Sequence, residues 1–224
     1  DEAFAPDYLE AHDLWPIRRA LAEIHFPSSA ENLPQARRRF VYQELLILQL
    51  ALAIKRHQQH TVREAPCLET TAKIDARIRR LIPFELTEAQ NQANEEIAGD
   101  MAVEIPMNRL LQGEVGSGKT VVAIAALLTA IDAGCQGALM APTEVLAEQH
   151  YQKLCAWLPQ LHVSCALLTG STPARRRRRL LEDLANGQLQ MLVGTHALLE
   201  DPVAFARLGL VVVDEQHRFG VAQR

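Results

Sequence analysis

The sequence predicts an α/β protein, a parallel sheet with helices on both faces, preceded by an α-helical region. Three observations carry this. From Met107 onward, short apolar runs alternate with helical stretches, the pattern of right-handed strand–helix–strand crossovers. One junction, Gly113-Glu-Val-Gly-Ser-Gly-Lys-Thr120, has phosphate-loop spacing and stands between an apolar run and a helix. The last apolar run, Leu210-Val-Val-Val213, has the composition of a buried parallel strand and ends in two carboxylates, Asp214 and Glu215.

The elements follow in order. Pro16 suits the first turn of a helix running to about Ile24, and His25-Phe-Pro-Ser-Ser29 breaks it. A long helix is expected over Pro34–His60. Its middle, Leu45 to Ile54, is apolar nearly all round, which implies burial against neighbouring domains. A loop is expected over 61–72, then helices over 73–81 and 87–98, the second capped by Thr87. The alternating part reads as strand Arg109–Gln112, helix Lys119–Ala133 closed by Gly134, strand Gly137–Ala141 and helix Glu144–Trp157. Strand Val163–Leu168, helix Pro173–Ala185 closed by Gly187, and strands Gln190–Val193 and Leu208–Val213 complete it. The domain division is 1–72, a helical linker, and 73–224, the sheet-bearing lobe.

Composition is that of a globular protein with a real core: 224 residues, 48% hydrophobic and 22% charged. The net charge of −4 does not mark a nucleic-acid binder, but the charge is uneven. Residues 1–106 hold 12 Lys/Arg against 17 Asp/Glu, and residues 107–224 hold 11 against 10. Any contact with nucleic acid therefore comes from local patches. Cys67, Cys135, Cys155 and Cys165 form no CxxC pair and read as reduced core residues of a cytosolic protein, with no zinc site. No apolar run is long enough to span a bilayer and no signal peptide is visible. A chain beginning at Asp1 and stopping at Arg224 reads as a piece of something longer.

The chemistry sits in two motifs. In Gly113–Thr120, the glycines Gly113, Gly116 and Gly118 let the backbone wrap so that N–H groups, including those of Glu114, Val115 and Ser117, point at one anion. The helix start adds positive potential. Lys119 is expected to bridge the β- and γ-phosphates of ATP, and the Thr120 hydroxyl to ligate Mg²⁺. Asp214 stands at the carboxyl end of its strand, where open parallel sheets bind ligands, and is expected to hold the same ion. Glu215 is expected to orient and deprotonate the attacking water. Lys119, Asp214 and Glu215 are thus the catalytic candidates.

Together these motifs resemble the superfamily-two DExH helicases, most closely the bacterial branched-DNA helicases. The residues that carry the resemblance are Gly113–Thr120, Ala141-Pro-Thr-Glu-Val-Leu-Ala-Glu-Gln-His150, Leu168-Thr-Gly-Ser171, Val193-Gly-Thr-His-Ala-Leu198 and Asp214-Glu-Gln-His-Arg-Phe-Gly220. Upstream, His25-Phe-Pro27, Ala36-Arg-Arg-Arg-Phe40 and Glu44-Leu-Leu resemble the linker that follows that family's wedge domain, so the likeness covers nearly the whole chain. The resemblance implies a RecA-like P-loop NTPase fold, with 73–224 the first motor lobe. It also implies an ATP-dependent translocase that reverses forks and migrates junctions in recombination and repair. Branched double-stranded DNA would be its partner and single-strand-binding protein a further one, with a monomeric, cytoplasmic, bacterial protein as the setting.

By the same resemblance, Phe84 and Gln90 recognise adenine, an aromatic face and an amide that donates and accepts. The plain alternative is a core Phe and a surface Gln. Pro142, Thr143, Glu144, Thr169, Gly170, Ser171, Gly194, Thr195 and His196 resemble DNA-backbone contacts, with helix capping as the alternative for Thr143. Gln216 and His217 couple nucleotide state to the DNA side. Five consecutive arginines, Arg175 to Arg179, are either a solvated face or an added phosphate contact. The family's next strand, between the phosphate-loop strand and the acidic-motif strand, and its second lobe lie beyond residue 224. The expectation is a sheet with a gap and a fragment that binds nucleotide weakly and does not unwind. Two rivals remain: a transcription-repair coupling translocase, and a nucleotide-gated binding module that never translocates.

Overall fold

The computed structural model describes residues 2–62, 65–71, 76, 79–80, 84–157, 162–200 and 202–218, apart from the side chains of 59–62 and 217. The chain divides into two compact units, Asp1–Arg63 and Glu64–Arg224.

The first unit is helical, with α1 Pro6–Ala11, α2 Ile17–His25 and α3 Asn32–Val62. Pro16 occupies the N-cap of α2, where its missing N–H costs nothing. Among the described residues of this unit, one charged side chain is fully buried. The Arg39 guanidinium donates to Glu2 at 2.8 Å and to Gln43 at 2.7 Å, and lies 4.5 Å from the Phe4 ring. Removing Glu2 would leave that cation buried and uncompensated. Leu45, Ile47, Leu48, Leu50, Leu52 and Ile54 of α3 are 39–59% exposed. The burial expected from their all-round apolar pattern is not supplied by the described residues.

The second unit is built on a parallel sheet. Its elements are α4 Glu88–Met101, α5 Lys119–Asp132, β1 Gln136–Met140, α6 Glu144–Trp157, β2 Cys165–Leu168, α7 Ala174–Ala185, β3 Met191–Gly194 and β4 Leu208–Val213. The strand order is β2-β3-β1-β4 and every pairing is parallel. Successive β1 side chains serve opposite cores. Leu139 joins Leu127 of α5 and Leu154 of α6, whereas Ala138 and Met140 join Leu184 of α7. This is the period-2 alternation of a strand between two helical layers. A third cluster, with Ile97, Met101, Val122 and Ala126, seats α4 on α5. That double cover explains why ten residues of α5 are buried.

The helix-end signals hold. Thr87 makes a reciprocal capping box with Gln90. Gly134 and Gly187 take the left-handed conformation after α5 and α7, at φ +77° and +79°. The helix expected over 73–81 falls mostly outside the described residues. One element differs: Arg109–Gln112, expected as a strand, pairs with none of the described strands. A strand is defined by its ladder, and among the described residues no strand pairs with this segment. A cavity of about 870 Å³ separates it from β4, lined by Asn108–Gln112 and by Leu210–Gln216.

Candidate nucleotide and nucleic-acid site

The phosphate loop begins in the extended segment that ends at Gln112 and finishes in the first turn of α5. Gly116 and Gly118 lie at φ +84° and +81°, a region closed to most side chains. Gly118 is the N-cap of α5, with no side-chain cap on the helix's first N–H groups. The Lys119 ammonium donates to the carbonyls of Gly113 at 2.6 Å and Glu114 at 2.7 Å, so the cation sits inside the loop's concavity. Thr120 is half-buried and lines the cavity with Gly113, Lys119, Asp214 and Glu215. Loop, ammonium, hydroxyl and carboxylates therefore meet at one place. The donor set fits a nucleoside triphosphate with a divalent cation: backbone N–H groups and an ammonium for phosphate, hard oxygens for the metal.

Gln90 reaches the same loop from α4. Its side-chain nitrogen donates to the Ser117 carbonyl at 2.9 Å while its oxygen accepts from Thr87 N–H at 3.0 Å. A Cβ on Gly118 would collide with the Gln90 side-chain nitrogen, a second reason for glycine there. Phe84 stands before α4, 51% exposed.

Parallel register sets the rest. Met140 aligns with Gly194 and with Val213, and Leu168 aligns with Gly194. The loops leaving β2, β3, β1 and β4 thus emerge in a row at one sheet edge: Thr169–Ser171, Gly194–His196, Pro142–Glu144 and Asp214–Gln216. Within that row Thr143, Glu144, Gly170, Ser171 and His196 are exposed, Pro142 is half-buried, and Thr169, Gly194 and Thr195 are buried. Thr143 does cap α6, accepting from Leu146 N–H at 3.3 Å. Gln216 opens a short 3₁₀ turn and is exposed; the His217 side chain lies outside the described residues. Among the arginines, Arg177 pairs with Glu200 at 3.1 Å and Arg179 approaches Asp183 at 3.9 Å. Arg175, Arg176 and Arg178 are exposed.

Glu215 takes φ +47°, a left-handed conformation unusual for a non-glycine residue, and its carboxylate pairs with Arg218 at 2.8 Å. Asp214 continues the β4 ladder, its N–H donating to Met140 at 2.8 Å. Its side chain has two partners: Oδ1 accepts from Glu215 N–H at 3.0 Å, and Oδ2 lies 2.8 Å from His150 Nε2. No role for His150 follows from the motif text that contains it. The available signal was its place with Ala147 and Leu154 on one helical face, because a histidine on an apolar stripe needs a polar partner. Gln136 was also missed. Its buried amide donates to Leu184 at 2.8 Å and Leu189 at 2.7 Å and accepts from Arg207 N–H at 2.8 Å, tying the last turn of α7 and two connecting segments to the start of β1.

A phosphate loop and a strand-end Asp-Glu pair on a parallel sheet, with a row of polar loops beside them, mark an α/β lobe of the phosphate-loop class. The profile of the DEAD/DEAH box helicases matches residues 87–224, and the chain belongs to that family. Over 96% of its length it is 50% identical to ATP-dependent DNA helicase RecG of Synechocystis sp., and over 98% it is 48% identical to RecG of Bacillus subtilis. It spans 26% and 31% of those two proteins. A solved structure of RecG bound to a three-way DNA junction superposes with a TM-score of 0.85 at 40% identity. That match covers 98% of this chain and 30% of the RecG chain. The RecA-like α/β fold and the RecG likeness are thereby shown. Among the described residues, no helix is long and apolar enough to cross a membrane.

Proposed function

We propose that this chain carries the ATP-binding half-site and one nucleic-acid-facing edge of a translocase that remodels branched DNA. Fork reversal and junction migration are the reactions this implies, in the bacterial cytoplasm. The observation that carries the reading is the common edge. Parallel register brings the loops after β2, β3 and β1 into one row with Asp214 and Glu215, beside the phosphate loop. A motor needs nucleotide and track on one rigid body, and this edge supplies it. The similarity to RecG supports branched DNA as the track.

Each residue's part follows from its chemistry. N–H groups of the Gly113–Gly118 turn and the Lys119 ammonium bind and orient the phosphates. Thr120 and Asp214 would hold Mg²⁺, which when bound neutralises phosphate charge. Glu215 places a water and takes its proton. Gln90 reads the base edge, and Phe84 offers a stacking face. Thr143, Ser171 and His196 present hydroxyl and imidazole groups to backbone phosphates without reading sequence.

The test uses a protein of RecG length that contains this chain. Lys119→Ala and Glu215→Gln are each expected to lower DNA-stimulated ATP turnover by about 100-fold or more and to abolish fork unwinding. A Glu215→Gln protein that still moves on DNA would overturn Glu215 as the group that takes the water's proton. One that keeps nucleotide-gated partner binding but never showed translocation would favour a switch.

A further inference from the structure

We infer that helix α6 links the nucleic-acid-facing loops to the acidic motif, with His150 as a positioning residue for Asp214. The inference rests on the reading above, in which Asp214 serves the nucleotide and Thr169–Ser171 the nucleic acid.

The link has two ends on one short, anchored rod. At the first residue of α6, both Glu144 carboxylate oxygens are engaged by Ser171. Oε1 accepts the Ser171 N–H at 3.2 Å and Oε2 accepts its hydroxyl at 3.0 Å. The approach is close enough that a Cβ on Gly170 would sit 3.4 Å from Glu144 Oε1. Six residues further along α6, His150 meets Asp214 at 2.8 Å. At about 1.5 Å of rise per residue, the two contacts are roughly 9 Å apart along the axis. Ala147 and Leu154, both fully buried against the sheet, hold the rod between and beyond them.

His150 is itself 8% exposed. The Asp214 carboxylate accepts, so His150 Nε2 donates to it. Nδ1 is buried and has no hydrogen-bond partner among the described residues. Among the described residues the ring is hydrogen-bonded on its Asp214 side only, so its position follows the helix and fixes Asp214 Oδ2 with it. The remaining Asp214 oxygen is held locally by Glu215 N–H. A shift of the Ser171 loop on binding phosphate pulls Glu144, moves α6 and re-aims the carboxylate that faces the nucleotide. Coupling of this kind is reciprocal: nucleic acid changes nucleotide affinity by the factor by which nucleotide changes nucleic-acid affinity.

The experiment measures that factor in a RecG-length protein containing this chain. A fluorescent ATP analogue is titrated with Mg²⁺, with and without a three-way DNA junction. The wild type is expected to show a junction-dependent change in nucleotide Kd of about fivefold or more. His150→Ala is expected to bring the ratio of the two dissociation constants close to one, and His150→Gln, which restores a donor, to recover most of it. A wholly structural His150 would lower stability without collapsing the ratio, and would gain nothing specific from glutamine. Should His150→Ala fail to fold, Glu144→Gln reads the exposed end of the same link. A ratio reduced toward one supports the inference, and an unchanged ratio overturns it. Full coupling in a folded His150→Ala protein overturns the inference alone. A wild type in which junction and nucleotide bind without affecting one another overturns it too. A wild type that binds no nucleotide overturns the functional reading beneath it.

Discussion

Strands β1 and β4 lie side by side in one sheet and are both rich in apolar residues, yet they live in different surroundings. Every residue of β1 is buried, between β3 and β4 and under helices on both faces. β4 pairs with β1 alone among the described strands, and Val211 and Val213 are 43% and 41% exposed. Its valine run has the composition of a strand covered on both faces. An apolar run thus states how much surface a strand can bury; its neighbours decide how much it does bury. The opposite edge, β2, shows the intermediate case, with Ala166 and Leu168 buried and Cys165 and Leu167 half-buried.

The comparison can be broken by substitution and denaturant unfolding. The largest effect is expected for Gly194→Ala at the end of β3. A Cβ there would fall on the Leu168 carbonyl oxygen and on Leu198, in the interior of the sheet where backbone cannot yield. The expected loss is about 3 kcal/mol or more, and a fully stable variant would refute the close approach. Next, Leu139→Ala in β1 removes a 2%-exposed side chain from the main core and is expected to cost about 2–5 kcal/mol. Val211→Ala in β4 is expected to cost about 1 kcal/mol or less, because much of that side chain already meets solvent. Equal losses would remove the distinction between the two strands.

Cys165 asks the same question of the β2 edge, through pH. Burial, reinforced by nearby Cys155, pushes its thiol up to about 12. The unfolded thiol ionises near its ordinary value, about 8.5, while the folded one stays protonated. The unfolded state therefore binds fewer protons between about 8.5 and 12. Stability should fall as pH rises through that window, by up to about 1.4 kcal/mol per unit from this group. Tyr151 is also pushed up to about 12, chiefly by its hydrogen bond with Cys155, so the check is the difference in slope between wild type and Cys165→Val. Identical slopes would mean Cys165 is not sheltered. A comparably small effect lies outside the sheet: Thr87→Ala removes the cap of α4 and is expected to cost about 1 kcal/mol in urea titrations.

Much of the site was legible in the sequence because its parts are local. A phosphate loop is eight successive residues whose backbone does the work, so spacing alone identifies it. Asp214 and Glu215 follow an apolar strand, and strand ends bind ligands. Thr87, Gly134 and Gly187 obey rules that span only a few residues. The same locality explains the misreading of Arg109–Gln112. Its composition is strand-like, but pairing is a property of two segments, and no described strand lies beside this one.

The sequence by itself determined the class of fold and marked the phosphate-loop spacing, the strand-end carboxylates and the loops proposed to face a ligand, since each depends on residues adjacent in the chain. Tertiary structure alone decided what joins them. Glu144 meets Ser171 across 27 residues, His150 meets Asp214 across 64, and Gln136 meets Arg207 across 71. No periodicity or motif encodes such pairs, because side chains that far apart become neighbours only when the parallel sheet sets its strand order and register. The same ordering leaves β4 at an open edge and β1 sealed, a difference that two similar stretches of apolar residues could not reveal.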